Sequence, residues 1–215
     1  LPYYATTTAP YTLCAPRGLL IEEARTNLLT YSDQPNDASW TKVNATVTSN
    51  SVTSPDGTVN ADTLTDDTTN GGHTFQRAGI TVAASANTLS IYAKNNTRRY
   101  LSVRCNDNAS NANAAAAVFD LQNGAISTAA TAYGTFTAAS ATITSVGNGW
   151  YRLTLTFTSS VISVSVKYEM NNGSALTADG QSQYIGDGSS LYVYAAQLEA
   201  GAFATSYIPT VASQV

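Results

Sequence analysis

The segment GNGWYRLTLTF, residues 147–157, constrains the fold more than any other part of the chain. Tyr151, Leu153, Leu155 and Phe157 recur at every second position, with polar residues between them. A backbone of period two sends these two sets of side chains to opposite faces, which is typical of a half-buried β-strand. Because one strand cannot shield its own apolar face, the segment predicts a second layer of β-structure packed against it.

The same alternation recurs along the chain, with turn signals such as SPDGT at 54–58 between the runs. The expected strands cover residues 40–52, 61–65, 73–82, 88–94, 100–105, 118–121, 142–146, 151–157, 162–168 and 191–198. This spacing, without any βαβ rhythm, predicts an all-β fold: an antiparallel two-sheet β-sandwich of jelly-roll type. Residues 17–215 are expected to form one such domain, preceded by an extended N-terminal arm at 1–16.

Three local expectations follow from the pattern. The short link Asn95–Arg99 predicts that strands 88–94 and 100–105 form an antiparallel hairpin. Residues 106–116, rich in Asn and Ala, are expected to form an exposed loop. In the last strand, the alternation places Tyr192, Tyr194, Ala196 and Leu198 on one face.

The arm at residues 1–16 carries three of the six prolines and lacks a core of its own. We expect it to lie on the body of the domain or on a neighbouring copy, and we expect a homo-oligomer. Cys14 and Cys105 are too few for a disulfide framework. Free or buried thiols are favoured, with a bond between them or an intermolecular bond through Cys14 left open.

Only 11% of the residues are charged and the net charge is −4, so no basic surface is available to meet phosphates. Nucleic acid is therefore not expected as a partner. No apolar run approaches the length of a membrane-spanning helix, so a membrane partner is not expected.

Catalytic patterns are absent from the sequence. His73 is the one histidine, and the acidic neighbours Glu22-Glu23 and Asp66-Asp67 would point to opposite faces in a strand. The chain is therefore predicted not to be an enzyme and to need no cofactor. A calcium ion on Asp66-Asp67 is left open, although a solvated turn is favoured there.

Several blocks together resemble a known group of proteins. The blocks are RGLLIEEARTNLL (17–29), Trp40, SPDGTVNADTL (54–64), LSIYAK (89–94), VFDLQNGAIS (118–127), GNGWYRLTLTF (147–157) and AAQLEAGAFATSYIPT (195–210). In this order they resemble the jelly-roll, carbohydrate-binding-module-like domains of phage virion proteins, of the tail-fibre, tail-associated and head-spike type. The chain departs from the group at Tyr194-Ala195, where the common WGAQLE is replaced by YAAQLE.

The resemblance implies a non-catalytic structural or adhesion module exposed on the phage particle. Its partners would be other virion proteins, symmetry copies of itself and host-surface carbohydrate. The resemblance also motivates a cation site in which Glu22 or Glu23 meets Glu199 at the sandwich edge. The alternative function is a carbohydrate-binding module of a polysaccharide-degrading enzyme.

Sugar recognition needs flat aromatic faces framed by amide, hydroxyl and guanidinium groups. Among thirteen tyrosines and two tryptophans, the candidates are Tyr92, Tyr100, Arg99 and Trp40. Tyr92 and Tyr100 lie in phase opposite to their apolar neighbours and are expected to project outward. Lys94 and Arg104 are lesser candidates. The simpler alternative is that these aromatic residues only cover the sheet or fill the core.

Overall fold

Period-two alternation organises residues 22–214, the part of the chain that the computed structural model describes, into strands without any helix. The arm predicted at residues 1–16, including Cys14, lies outside this part. The strands are β1 (Thr41–Val43), β2 (Ala45–Thr53), β3 (Val59–Asp66), β4 (Asn70–Gly71), β5 (Thr74–Thr81), β6 (Ala86–Asn95), β7 (Tyr100–Asp107), β8 (Ala114–Asp120), β9 (Ala125–Tyr133), β10 (Thr137–Gly147), β11 (Trp150–Thr158), β12 (Ser163–Asn171), β13 (Tyr184–Ile185) and β14 (Ser190–Ala200).

Two six-stranded antiparallel sheets form the body of the fold. Sheet A has the order β1-β5-β12-β7-β8-β9, and sheet B has the order β10-β11-β6-β14-β3-β2, while β4 and β13 pair separately. The chain crosses repeatedly from one sheet to the other, as expected for the jelly-roll type. The prediction of an all-β, antiparallel two-sheet sandwich is therefore confirmed.

The core lies between the sheets and is built from the alternating apolar residues. Leu155 and Phe157 of β11 are fully buried from one side, and Val103 and Tyr168 are fully buried from the other. Burying each such side chain contributes about 1.5–3 kcal/mol. Trp40 is also in the core, 1% exposed, with its ring edge-on to Phe75.

The predicted hairpin between 88–94 and 100–105 is wrong. Strand β6 lies in sheet B between β11 and β14, whereas β7 lies in sheet A between β12 and β8. Nearly every residue of β7 is buried, so this strand needs neighbours on both edges and cover on both faces. The link 95–99 therefore crosses from one sheet to the other instead of turning within one.

The expected loop at 106–116 is wrong at both ends, because Asn106 and Asp107 belong to β7, and Ala114–Ala116 belong to β8 and are fully buried. A strand that is buried on both faces shows no polar alternation, so its periodicity gives no signal. The run of small alanine side chains therefore did not predict the strand that the structure shows there.

The expected facing of the last strand is also wrong, because β14 contains a bulge. The register shifts between Tyr194 and Gln197, and Ala195 at the shift has a φ of 57°. Tyr194 therefore pairs with Tyr92 on the outer face, while Leu198 beyond the bulge points into the core. An alanine in this left-handed region costs about 1–2 kcal/mol, which a glycine at this position of the resembled motif would avoid.

Candidate functional site

The outer face of sheet B carries rows of hydroxyl groups. The core-facing positions of β11 leave Thr154 and Thr156 in the outward phase, and the register places Thr142 opposite Thr154. The Thr142 and Thr154 hydroxyls are 2.6 Å apart, and those of Thr88 and Thr156 are 2.9 Å apart. Cross-strand pairing thus turns a sequence alternation into an ordered hydroxyl surface.

A groove of about 480 Å³ lies over this surface. The segment that follows β14 forms one wall, and the outward side chains of β6, β10 and β11 form the floor. The groove is lined by Tyr92, Ser140, Thr142, Thr144, Val146, Arg152, Thr154, Thr156, Ala202, Phe203 and Ala204. Its surface therefore combines hydroxyls, one guanidinium and two aromatic rings.

Arg152 is held in place within the groove. Its Nη2 donates hydrogen bonds to the carbonyl of Thr205 and, at 3.3 Å, to the hydroxyl of Ser90. Its guanidinium carbon lies 5.5 Å from the centre of the Tyr92 ring, within the range of a cation–π contact. Arg152 thereby joins the floor to the wall and fixes the tyrosine ring beside it.

Tyr92 also begins a line of aromatic rings that runs away from the groove. The ring of Tyr194 lies 6.0 Å from Tyr92 and 5.8 Å from Tyr207. The Tyr194 hydroxyl donates to Asp56, and burial together with this hydrogen bond raises its pKa to about 12. On the wall, Phe203 remains 52% exposed, with Arg25 over its ring.

The arrangement suits binding of a polyhydroxylated, largely neutral ligand. Aromatic rings cover the C–H faces of such a ligand, while hydroxyls and a guanidinium satisfy its polar groups. None of the described residues that line the groove is a carboxylate, so it contains no acid/base pair of the kind used to cleave glycosidic bonds.

Of the residues predicted from sequence, only Tyr92 lines the groove. Tyr100 begins sheet A strand β7 and Arg99 precedes it; Arg99 pairs with Asp120, and its guanidinium carbon lies 4.9 Å from the centre of the Tyr100 ring. The Arg99 hydrogen bonds hold the pKa of Asp120 below its usual value. Trp40 is a core residue whose Nε1 donates to the carbonyl of Tyr31, so it is not part of the groove.

Of the groove residues that sequence reasoning missed, Arg152 and Phe203 are the most important for binding. Arg152 sits in the polar phase of the segment 147–157, so its outward position was readable from the alternation. Phe203 follows the last strand in a segment without periodicity, and its place at the groove depends on how that segment folds back.

The outer face of sheet A is closed. Arg104 on β7 is fully buried, and its guanidinium donates to Asn106 and to the carbonyls of Asn111 and Asp179. This placement removes Arg104 from the ligand candidates. Glu169 beside it accepts the N–H of Ser182, and burial raises its pKa although Arg104 opposes the rise. We call this covered surface, centred on Arg104 and Glu169, the closed face.

The predicted acidic pair Asp66-Asp67 is divided between two environments. Asp66 is buried and pairs with Arg98 at 2.5 Å and with the Tyr184 hydroxyl at 2.7 Å. Only Asp67 is exposed, where it accepts the Thr69 N–H. The favoured solvated turn is therefore wrong for Asp66, because its carboxylate neutralises a buried guanidinium.

The edge site suggested for Glu22 or Glu23 with Glu199 is already occupied by protein donors. Glu199 is fully buried and accepts hydrogen bonds from Gln197 and from the N–H and hydroxyl of Thr205. Glu22 accepts the N–H of Ser206. Within residues 22–214, no group of three or more His, Cys, Asp or Glu side chains is placed to hold a metal ion.

Two further observations concern the described residues. Cys105 carries a free, buried thiol whose pKa is raised by burial. Over the same part of the chain, no helix is long and apolar enough to span a membrane.

No protein-family model matches this sequence, and no curated protein matches it. Among solved structures, the chain is similar to the enzymatically active domain of tailspike protein 4 from Bacteriophage CBA120, with a TM-score of 0.43 and 15% sequence identity. The similarity covers 80% of this chain and 21% of that chain, so this chain spans about one fifth of the other's length. A likeness of this extent does not establish a family or an activity.

Proposed function

We propose that this protein is a non-catalytic adhesion module of a phage particle, which binds host-surface carbohydrate through the groove on sheet B. The sequence blocks at 17–29, 147–157 and 195–210 support the phage virion assignment by their resemblance to virion jelly-roll domains. The chemistry of the groove supports the choice of ligand.

One observation carries the proposal: the half-buried ring of Tyr92 lies beside a fixed guanidinium and ordered hydroxyls in an open groove. The ring offers a flat apolar face at low entropic cost, because Arg152 and Tyr194 already hold it. The paired threonine hydroxyls can each donate and accept, which matches the hydroxyls of a pyranose.

The absence of a lining carboxylate within the described residues supports binding without turnover. Incubating the protein with the polysaccharide that it binds should therefore leave the solution viscosity unchanged. A fall in viscosity would contradict the non-catalytic part of the proposal.

The binding test uses a glycan array to find a ligand for the full chain, followed by titration calorimetry of that ligand. Tyr92→Ala should weaken binding about tenfold or more, because the loss of the ring removes roughly 1.4 kcal/mol of contact. Thermal unfolding should show that the variant remains folded.

Tyr100→Ala is the matched control, because it removes a partly exposed tyrosine of sheet A that also contacts an arginine. Its affinity for the glycan should equal that of the wild type. Equal losses in the two variants, or no glycan bound by the wild type, would overturn the proposal.

A virion module also acts as part of an assembly. We expect mass photometry to find a trimer or a larger homo-oligomer at micromolar concentration. Glycan binding by a stable monomer would instead favour the alternative, a carbohydrate-binding module of a polysaccharide-degrading enzyme.

A further inference from the structure

A second cavity, of about 240 Å³, opens where three chain segments meet. The loop before β1 contributes Asp33, Gln34 and Asn36, and the β2–β3 hairpin contributes its remaining walls, including Asn60 and Asp62. All of the described residues that line it carry a side-chain oxygen, and none of them is basic. The cavity therefore has oxygen ligands and negative charge but no positive partner.

Asp62 is the most informative residue in this cavity. It is only 2% exposed, and its Oδ1 accepts the N–H of Asn50 at 2.8 Å. Its Oδ2 is buried and receives no hydrogen bond from any residue of the described chain. A buried carboxylate oxygen without a donor or a counter-charge is costly, so a ligand that supplies positive charge would be strongly favoured here.

Asn60 presents a second oxygen of the same kind. Its Nδ2 donates to Asp56 at 3.0 Å, which fixes the orientation of the amide. Its Oδ1 is then buried and, among the described residues, has no donor. Both unpartnered atoms in this cavity wall are thus acceptors, and what the wall lacks is a cation or a donor.

The charges around Asp62 also favour a bound cation. Burial raises the pKa of Asp62 to about 6, the Asn50 N–H opposes this rise, and the negative charge of Asp33 adds to it. Two carboxylates that repel one another in a cavity without a basic residue are the arrangement that a divalent cation relieves.

We propose that this cavity binds a calcium ion through the carboxylates of Asp62 and Asp33 and the amide oxygen of Asn60. Calcium accepts a mixture of carboxylate and amide oxygens in irregular geometry, with water completing its shell, whereas magnesium demands a nearly ideal octahedron. The ion joins the loop at 33–36 to the hairpin of β2 and β3. This site is separate from the groove, so it stands or falls independently of the proposed function.

The test compares thermal unfolding of the full chain in chelator-treated buffer and in millimolar calcium chloride. Calcium should raise the Tm of the wild type by several degrees, on the order of 5 °C at saturation. Magnesium at the same concentration should raise it less than half as much. Terbium luminescence excited through tyrosine, and its displacement by calcium, gives the affinity directly.

Asp62→Asn keeps the acceptor for the Asn50 N–H but removes the buried charge. In metal-free buffer it should unfold at the same temperature as the wild type or above it, and it should lose the calcium-induced rise in Tm. Asp33→Asn should weaken calcium binding about tenfold and serves as the second variant if Asp62→Asn does not fold.

Asp37→Asn is the control, because it removes one carboxylate from the same loop. Asp37 lies outside the cavity lining and accepts the N–H of Ser39 instead. Its response to calcium should match the wild type. No calcium response in the wild type, an equal response to magnesium, or equal losses in Asp37→Asn and Asp62→Asn would overturn the proposal.

Discussion

The outer faces of the two sheets are built from the same alternation of apolar and polar residues, but one face is covered by other parts of the chain and the other is open. On sheet A, the closed face buries Arg104 and Glu169 under chain that folds back over it. On sheet B, Arg152 sits in an open groove among threonine hydroxyls. One sheet thus buries its outward polar residues in internal structure, and the other leaves them at the surface of an open groove.

The difference teaches how to interpret an outward-phase arginine in a sandwich. Arg104 and Arg152 both occupy polar positions of central strands, yet Arg104 satisfies protein carbonyls on a covered surface while Arg152 borders a groove. Phase in a strand predicts which face a side chain joins. Whether that face is covered depends on the loops. The loops therefore decide whether an outward side chain serves the structure or borders a groove.

The largest expected effect comes from the two arginines. Arg104→Met should lower the free energy of unfolding by about 3–5 kcal/mol, because the oxygens of Asn106, Asn111 and Asp179 lose their donor and the buried Glu169 loses a favourable positive charge. Arg152→Met should cost about 1–2 kcal/mol, since it removes the hydrogen bonds to Thr205 and Ser90 but leaves no buried charge without a partner. Urea unfolding followed by tryptophan fluorescence measures both. Similar losses of unfolding free energy in the two variants would contradict the difference between the closed face and the groove.

A second pair compares hydroxyl groups. Ser182 of the closed face donates to the Met170 carbonyl and accepts from the Asn171 amide, so Ser182→Ala should cost about 1–3 kcal/mol. Thr154→Val of the groove keeps its β-branched shape and should cost less than about 0.5 kcal/mol. Differential scanning calorimetry on both proteins checks the order, and a larger loss in Thr154→Val would contradict it.

The smallest effect is a pH dependence that belongs to the closed face. Burial raises the pKa of Glu169, so the folded protein holds that proton more tightly than the unfolded chain does. Stability from this group is therefore full below its ordinary pKa and is lost as the pH rises through the raised value. Glu169→Gln should gain stability relative to the wild type as the pH rises above the ordinary glutamate pKa.

Denaturant unfolding at each pH gives this difference. Arg152→Met is the control from the other face, and its stability should follow the wild-type pH profile in parallel. Parallel profiles for Glu169→Gln and the wild type would argue against a raised pKa at Glu169.

Much of the fold could be predicted from local pattern, because most strands have one dry and one wet face. The segment 147–157 has the facing that its alternation predicts, and its polar phase holds Arg152. The pattern gives no strand signal at Ala114–Ala116, where both faces are buried and no alternation exists. The alternation also mispredicts the facing of the residues after Ala195, because a bulge there reverses which side chains face the core and alanine is not a residue typical of a bulge.

The sites were less predictable than the strands. Tyr92 was readable from its phase, but its separation from Tyr100 depends on which sheet each strand joins. The calcium site draws on Asp33, Asn60 and Asp62 from separate segments, so no spacing in the sequence announces it. Sites made by long-range assembly leave no local pattern to find.

The bulge at Ala195 has one further consequence for how this strand tolerates change. Even-numbered side chains face outward before the bulge and inward after it, because the bulge adds one residue to this strand. Removing that one residue would leave a regular ladder in which Leu198 still pairs with Leu89 and Glu199 still pairs with Thr88, whereas a regular ladder that kept it would turn Leu198 outward. This position should therefore accept a deletion more readily than an insertion.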